Sequence, residues 1–200
     1  MIITITGTPG VGKTFFAKKL AKALHVKYCD MNNFIKKNKL YDLYDKKDAT
    51  YDVDVQQIKK TFDKKFERYL NSDPDGKSFY DTFLSKLELN KDEEYYINML
   101  QRELFGNGKK DNLQNSNRVF NKDVLIIDGH LSHNLKSNMC VVIKTDIKKL
   151  HSRLAKRKYS RKKIMDNIES EIFDVCLEEA KNSNRNVLVV ENGDSYRKLK

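Results

Sequence analysis

The sequence has no apolar run approaching the roughly 20 residues that a bilayer crossing needs, so it offers no membrane anchor. Its N-terminus also lacks a basic stretch followed by an apolar one, and a cytoplasmic location is therefore expected. Cysteines number only three, Cys29, Cys140 and Cys176, widely spaced and set among apolar residues. An odd, scattered set excludes a disulfide framework and the paired spacing of a zinc site, and points to reduced core residues. There is no internal repeat, which removes solenoids and arrays. Acidic residues are missing altogether from Lys148 to Lys163, where nine Lys and Arg fall. That stretch is either a contact for polyphosphate or RNA or a solvated lysine-rich helix face. What remains is 200 residues, 39% hydrophobic and 34% charged with net charge +11, suited to a single domain with one sizeable core.

The most informative stretch is the first, MIITITGTPGVGKT. A short apolar strand, Ile2 to Ile5, runs into Gly7-Thr8-Pro9-Gly10-Val11-Gly12-Lys13-Thr14, which meets the phosphate-loop pattern in full. Gly10 and Gly12 allow backbone conformations that turn successive N–H groups toward phosphate oxygens. Lys13 brings a positive charge between the outer phosphates, and the Thr14 hydroxyl is placed to ligate Mg²⁺. From Thr14 to Leu24 the spacing of Phe16, Leu20 and Leu24 predicts a helix, whose N-terminus adds its dipole to the phosphate site. A nucleoside triphosphate site follows.

Further along, Val26 to Asp30 reads as a second strand and Asn32 to Leu40 as a short helix, followed by a polar connection, LYDLYDKKDATYDVD. Val55, Ile58, Phe62, Phe66 and Tyr69 predict a helix ending near Leu70, broken by Ser72 to Gly76. Two further helical patterns up to Phe105 suggest a hairpin, and Gly106 to Asn117 suggests a loop. Strands are expected at Val124 to Ile127, Met139 to Lys144 and Val187 to Val190. Between the last two lie a helix from Ile147 to Arg157 and a longer one from Arg161 to Lys181 with Ile164, Ile168, Ile172 and Val175 on one face. Strands alternating with helices imply an α/β fold with a parallel sheet covered on both sides and its ligand at the carboxyl ends of the strands.

Asp128 ends an apolar strand, where it serves either as the carboxylate that holds Mg²⁺ or its water opposite Thr14 or as a helix cap. His130, in DGHLSH, is placed to orient or deprotonate an attacking water, or is structural; His133 reads as a capping or packing residue. Arg157 either closes over the triphosphate or is one charge among many in a basic run.

Four segments, GTPGVGKT, KLYDLYDKKDATYDVD, VLIIDGHLSH and RLAKRKYSRKKIMDNIESEIFDVCLEEA, resemble in order and spacing the atypical adenylate kinase family, the isoenzyme six group of eukaryotes and its archaeal relatives. The resemblance covers residues 1 to 70 and 123 to 192. It implies the nucleoside monophosphate kinase fold, a five-stranded parallel sheet flanked by helices in a single domain. Within it the resemblance places a monophosphate-binding segment at 30–53 and a lid at 156–166, with a helical insertion at 71–122 that the compact family pattern lacks. Carried over by position, ATP is held by Gly10, Gly12, Lys13, Thr14, Phe15 and Arg157. The catalytic set is Lys13, Asp128, His130 and Arg157, and Mg²⁺ lies at Thr14 and Asp128. Lys36 stands where relatives carry an arginine for the monophosphate, and a lysine cannot make the bidentate fork.

The implied activity is a broad-specificity monophosphate kinase, ATP and AMP giving two ADP, with an ATPase activity. The resemblance also implies a part in late maturation of the small ribosomal subunit, through a platform ribosomal protein and pre-ribosomal RNA. The alternative is an ATPase switch or assembly factor with little kinase activity.

Overall fold

A computed structural model describes residues 1–24, 26–45, 50–70, 124–157, 159–184 and 186–191. The helical insertion expected at 71–122 lies outside the described residues. Among those described, no helix is long and apolar enough to cross a membrane.

Five strands form the central sheet: β1 (Ile2–Thr6), β2 (Lys27–Asp30), β5 (Leu125–Asp128), β6 (Met139–Lys144) and β7 (Val187–Glu191). Their spatial order is β2-β5-β1-β6-β7, and every pairing is parallel. Ile3 of β1 sits level with Ile126 on one side and Met139 on the other. Because successive side chains alternate between faces, a strand covered on both sides must be apolar at every position or hide its polar groups. β1 does both. Ile3 and Ile5 pack on one face with Phe16, Leu20, Ile126, Val141, Leu150 and Leu154, while Ile2 packs on the other with Phe34, Ile58, Phe62, Leu125 and Ile127. Thr4 and Thr6 are fully buried, and their hydroxyls donate to Ser137 Oγ and the His130 carbonyl.

The first face is covered by α1 (Lys13–Ala23), α4 (Ile147–Ala155) and α5 (Arg161–Ile172). The second face is covered by α2 (Met31–Lys37) and α3 (Val55–Leu70), where Phe34 meets Phe62 edge-on at 5.9 Å. α6 (Val175–Ser183) packs Ala180 against Cys140 and Val142 near the β7 edge. Caps match the chemistry of helix starts. Asp30, Asp146 and Ser160 accept backbone N–H groups at the N-termini of α2, α4 and α5.

Two expectations are corrected. The polar connection before α3 contains an antiparallel hairpin, β3 (Leu43–Asp45) and β4 (Thr50–Asp52), with the Tyr44 and Tyr51 rings 4.7 Å apart. Cross-strand ring contact favours pairing that polarity alone does not signal. The helix expected from Arg161 to Lys181 is two helices. Asp174 has φ +54, a left-handed conformation that ends α5 and starts α6, so Ile172 and Val175 are exposed instead of joining Ile168 in the core. All three cysteines are free; Cys140 and Cys176 are buried and Cys29 partly so.

Candidate active site

The turn between β1 and α1 has three glycines in the left-handed region, Gly7 at φ +137, Gly10 at +104 and Gly12 at +109. Gly7 also admits no side chain: a Cβ there would lie 2.4 Å from the Ile143 carbonyl oxygen. The loop therefore wraps closely over the end of β6, and α1 begins straight from it. Arg153 of α4 fastens it from outside, donating from one guanidinium nitrogen to Val11 O at 3.0 Å and Gly10 O at 3.4 Å. With those carbonyls held from behind, the loop's amide dipoles are free to face an anion.

Lys13 reaches back across the loop and donates to Thr8 O at 3.0 Å. Enclosure of its ammonium by protein pushes its pKa from 10.5 down to about 8; the acids Cys176, Asp128 and Glu171 oppose that fall and Arg157 adds to it. A cation held in a low-dielectric pocket without a full counter-charge is poised to bind an anion.

Asp128, at the carboxyl end of β5, is 3% exposed. It caps no helix. Instead its Oδ2 accepts the Thr14 hydroxyl proton at 2.6 Å and its Oδ1 accepts that of Tyr28 from β2. A hydroxyl beside a carboxylate is an all-oxygen donor pair, the kind that suits Mg²⁺ completed by phosphate oxygens and water. Among the described residues no three His, Cys, Asp or Glu side chains converge to hold an ion by themselves.

His130 sits just past β5 with its Nδ1 3.2 Å from the Gly7 carbonyl. A carbonyl only accepts, so Nδ1 carries the proton and the Nε2 lone pair remains available. Crowding by protein, with Lys13 nearby, pushes the pKa of this imidazole down, keeping it neutral, although the residue retains an open edge. His133 is buried, its Nδ1 donating to Thr6 Oγ1 at 2.9 Å and its Nε2 accepting from the Asn134 amide at 2.9 Å, with Glu179 3.1 Å from the same nitrogen. It is a packing residue, as one of its two sequence readings had it.

The remaining sequence-predicted residues lie at the margin. Arg157 is exposed in the turn after α4, close enough to act electrostatically on Lys13. The Phe15 side chain is 53% exposed, and its N–H donates to Gly12 O. Lys36 is exposed on α2, its ammonium 5.1 Å from the centre of the Tyr51 ring, and is no part of the hydrogen-bonded group around Asp128. Sequence reasoning missed Tyr28, Arg153 and Glu171. Glu171 is buried, accepting the Thr8 hydroxyl at 2.6 Å and the Thr145 N–H at 3.0 Å. Its spacing, three after Ile168 and seven after Ile164, puts it on the buried helix face, while its neighbour Glu169 is exposed; what spacing does not give is its partners.

Residues 3–174 match the protein family described as an AAA domain. A protein of Methanocaldococcus jannaschii, provisionally named adenylate kinase, is 30% identical over 181 residues, covering 90% of this chain and 72% of that one. A Thermococcus kodakarensis protein of the same provisional name is 27% identical over 191 residues, covering 96% and 76%. Among solved structures, shikimate kinase from Bacteroides thetaiotaomicron has 14% identity and a TM-score of 0.42, covering 96% of this chain and 85% of that one. A likeness of that degree bears on neither substrate nor mechanism.

Proposed function

Because the chain belongs to the AAA-domain family, with the archaeal proteins provisionally named adenylate kinase, we propose that it is an ATP-dependent nucleoside monophosphate kinase. It converts ATP and AMP to two ADP and accepts other monophosphates. The observation that carries this reading is the enclosed Lys13 ammonium, set in a three-glycine loop beside the Thr14–Asp128 pair.

In this reading the loop amides and Lys13 bind the outer phosphates, and Arg157 approaches from the turn after α4, at the start of the 156–166 lid. Phosphoryl transfer passes through a loose transition state with charge spread over the equatorial oxygens, so positioned cations and exclusion of water supply most of the rate. Mg²⁺, when bound at Thr14 and Asp128, neutralises charge on the phosphate oxygens. Gly10, Gly12 and Phe15 contribute backbone contacts to ATP; a phenylalanine has no hydroxyl to offer, so its part falls to the main-chain N–H that the free protein gives to Gly12 O. Lys36 on the 30–53 segment supplies the positive charge for the acceptor phosphate.

A second reading rests on His130. Its neutral ring, with Nε2 unprotonated, suits it to accept a proton from water, and in that case the protein hydrolyses ATP as a switch. Exposed Lys148, Lys156, Arg157, Arg161 and Lys162 support contact with RNA in that role, and the family resemblance supports a ribosomal partner.

The test is ATP turnover with Mg²⁺ in the presence and absence of AMP, CMP, GMP and UMP, resolving all nucleotide products. Two ADP per ATP consumed with AMP is expected. ADP and free phosphate at a rate that no monophosphate changes would replace the kinase reading with the switch.

A further inference from the structure

Asp128 is gripped from two sides by hydroxyl groups of different elements. Thr14, in the first turn of α1, donates to Oδ2, and Tyr28, from β2, donates to Oδ1. Register explains how the tyrosine arrives there. Tyr28 stands level with Ile126 and Asp30 with Asp128, so the ring has to lean along the sheet by two residues to touch the carboxylate at the strand tip. It lies partly buried against the α1 side of the sheet, with Lys18 Nζ 5.8 Å from its ring centre. The phenol hydroxyl is the donor in this contact, since a carboxylate only accepts.

The two donors are not equivalent. In the proposed function Thr14 turns its oxygen toward a cation and shares its hydroxyl between ion and carboxylate. Among the described residues the phenol hydroxyl donates to Asp128 alone. We propose that Tyr28 is the positioning residue that fixes the rotamer of Asp128, and thereby sets how tightly the nucleotide site takes a divalent cation. The inference rests on Asp128 being the metal-side carboxylate. A carboxylate held by Thr14 alone keeps its torsional freedom when that hydroxyl is drawn to the ion, and ordering it then costs binding energy.

Tyr28→Phe keeps the ring and its packing and removes only the donor. Binding of a fluorescent N-methylanthraniloyl ATP is measured in chelator and across a Mg²⁺ titration, for the unaltered protein, Tyr28→Phe and Asp128→Asn. Mn²⁺ binding is followed in parallel by electron paramagnetic resonance. The expected result is nucleotide affinity in chelator within twofold of the unaltered protein for Tyr28→Phe, with roughly a tenfold rise in the Mg²⁺ and Mn²⁺ concentrations needed for half-saturation. If Tyr28→Phe leaves the metal titration unmoved while Asp128→Asn abolishes it, the role of Tyr28 is overturned and the site reading stands. If Asp128→Asn also changes nothing, or the unaltered protein ignores Mg²⁺, the carboxylate reading itself falls. Loss of nucleotide binding in chelator by Tyr28→Phe would assign the phenol to the fold and overturn the proposal.

Discussion

Glu171, at the end of α5, accepts the hydroxyl proton of Thr8 in a 2.6 Å hydrogen bond that joins residues 163 positions apart. Its other carboxylate oxygen takes the Thr145 N–H just past β6. One buried acid thus ties the phosphate loop to the helix that follows the basic turn. Glu171→Gln, which still offers an oxygen to Thr145, is expected to cost about 1 kcal/mol, and Glu171→Ala, which removes both acceptor oxygens, about 3 kcal/mol. Urea unfolding of the two variants checks the order.

Lys13 makes a trade between stability and binding. Its ammonium is disfavoured in the folded chain, since enclosure lowers its pKa to about 8. Lys13→Met is expected to abolish nucleotide binding while stabilising the free protein by about 2 kcal/mol at pH 7, allowing for its partly open face. Between about 8 and the ordinary 10.5 the unfolded chain holds the extra proton, so the unaltered protein gains stability as pH rises. The advantage of the variant therefore shrinks over that window, which denaturation at pH 7 and pH 9.5 measures.

Gly7 tests how tightly the loop is pressed on the sheet. A Cβ at this position meets a backbone oxygen, which cannot swing aside as a flexible side chain can, and φ +137 adds strain of its own. Gly7→Ala is expected to destabilise the protein by about 3 kcal/mol or more. At Gly10 the added carbon meets the side chains of Leu150 and Leu154 and no backbone atom among its nearest neighbours, so Gly10→Ala is expected to cost less stability, as thermal melts of both will show.

Arg153 is predicted to act through the loop and not on the phosphates. Arg153→Met keeps the aliphatic stem and removes the donors to Val11 and Gly10. The expected outcome is about 1 kcal/mol less stability together with a severalfold weaker nucleotide affinity, read from melts and from binding titrations.

Acid sensitivity is expected from His133. Burial pushes its pKa below the ordinary 6.5, with Glu179 opposing and His130 and Lys59 assisting. The unfolded chain then takes up the proton first, so stability is whole above 6.5 and is lost as pH falls from there toward the depressed folded value. His130, shifted the same way, adds to the slope. His133→Gln is expected to flatten the stability profile between pH 7 and pH 5 without removing it.

How much of this was legible depends on the range of the interaction that fixes each feature. β6 (Met139–Lys144) follows from its local pattern residue for residue, and the glycine turn falls between a strand and a helix as expected, the strand ending one residue later and the helix starting one residue earlier. The apolar period through Ile164 and Ile168 is real, but it continues by chance into Ile172 and Val175, across a chain reversal that one left-handed residue, Asp174, creates. Periodicity carries no mark of such a break, since aspartate is not glycine. Thr14 and Asp128 were expected opposite each other from the loop pattern and the strand end, and in the fold they meet through a hydrogen bond. The partners of Tyr28, Arg153 and Glu171 were not legible, because each acts on a residue more than 90 positions away that only the sheet order brings near.

The central place of β1 has a consequence for how the protein folds. It is far in sequence from both of its neighbours, β5, beginning at Leu125, and β6, ending at Lys144. The phosphate loop borrows its shape from β6 through the close approach of Gly7 to Ile143, so it cannot settle until that distant strand has joined the sheet. Closing such long loops before any sheet contact repays them makes for slow folding, and nucleotide becomes available to stabilise the product only after that step.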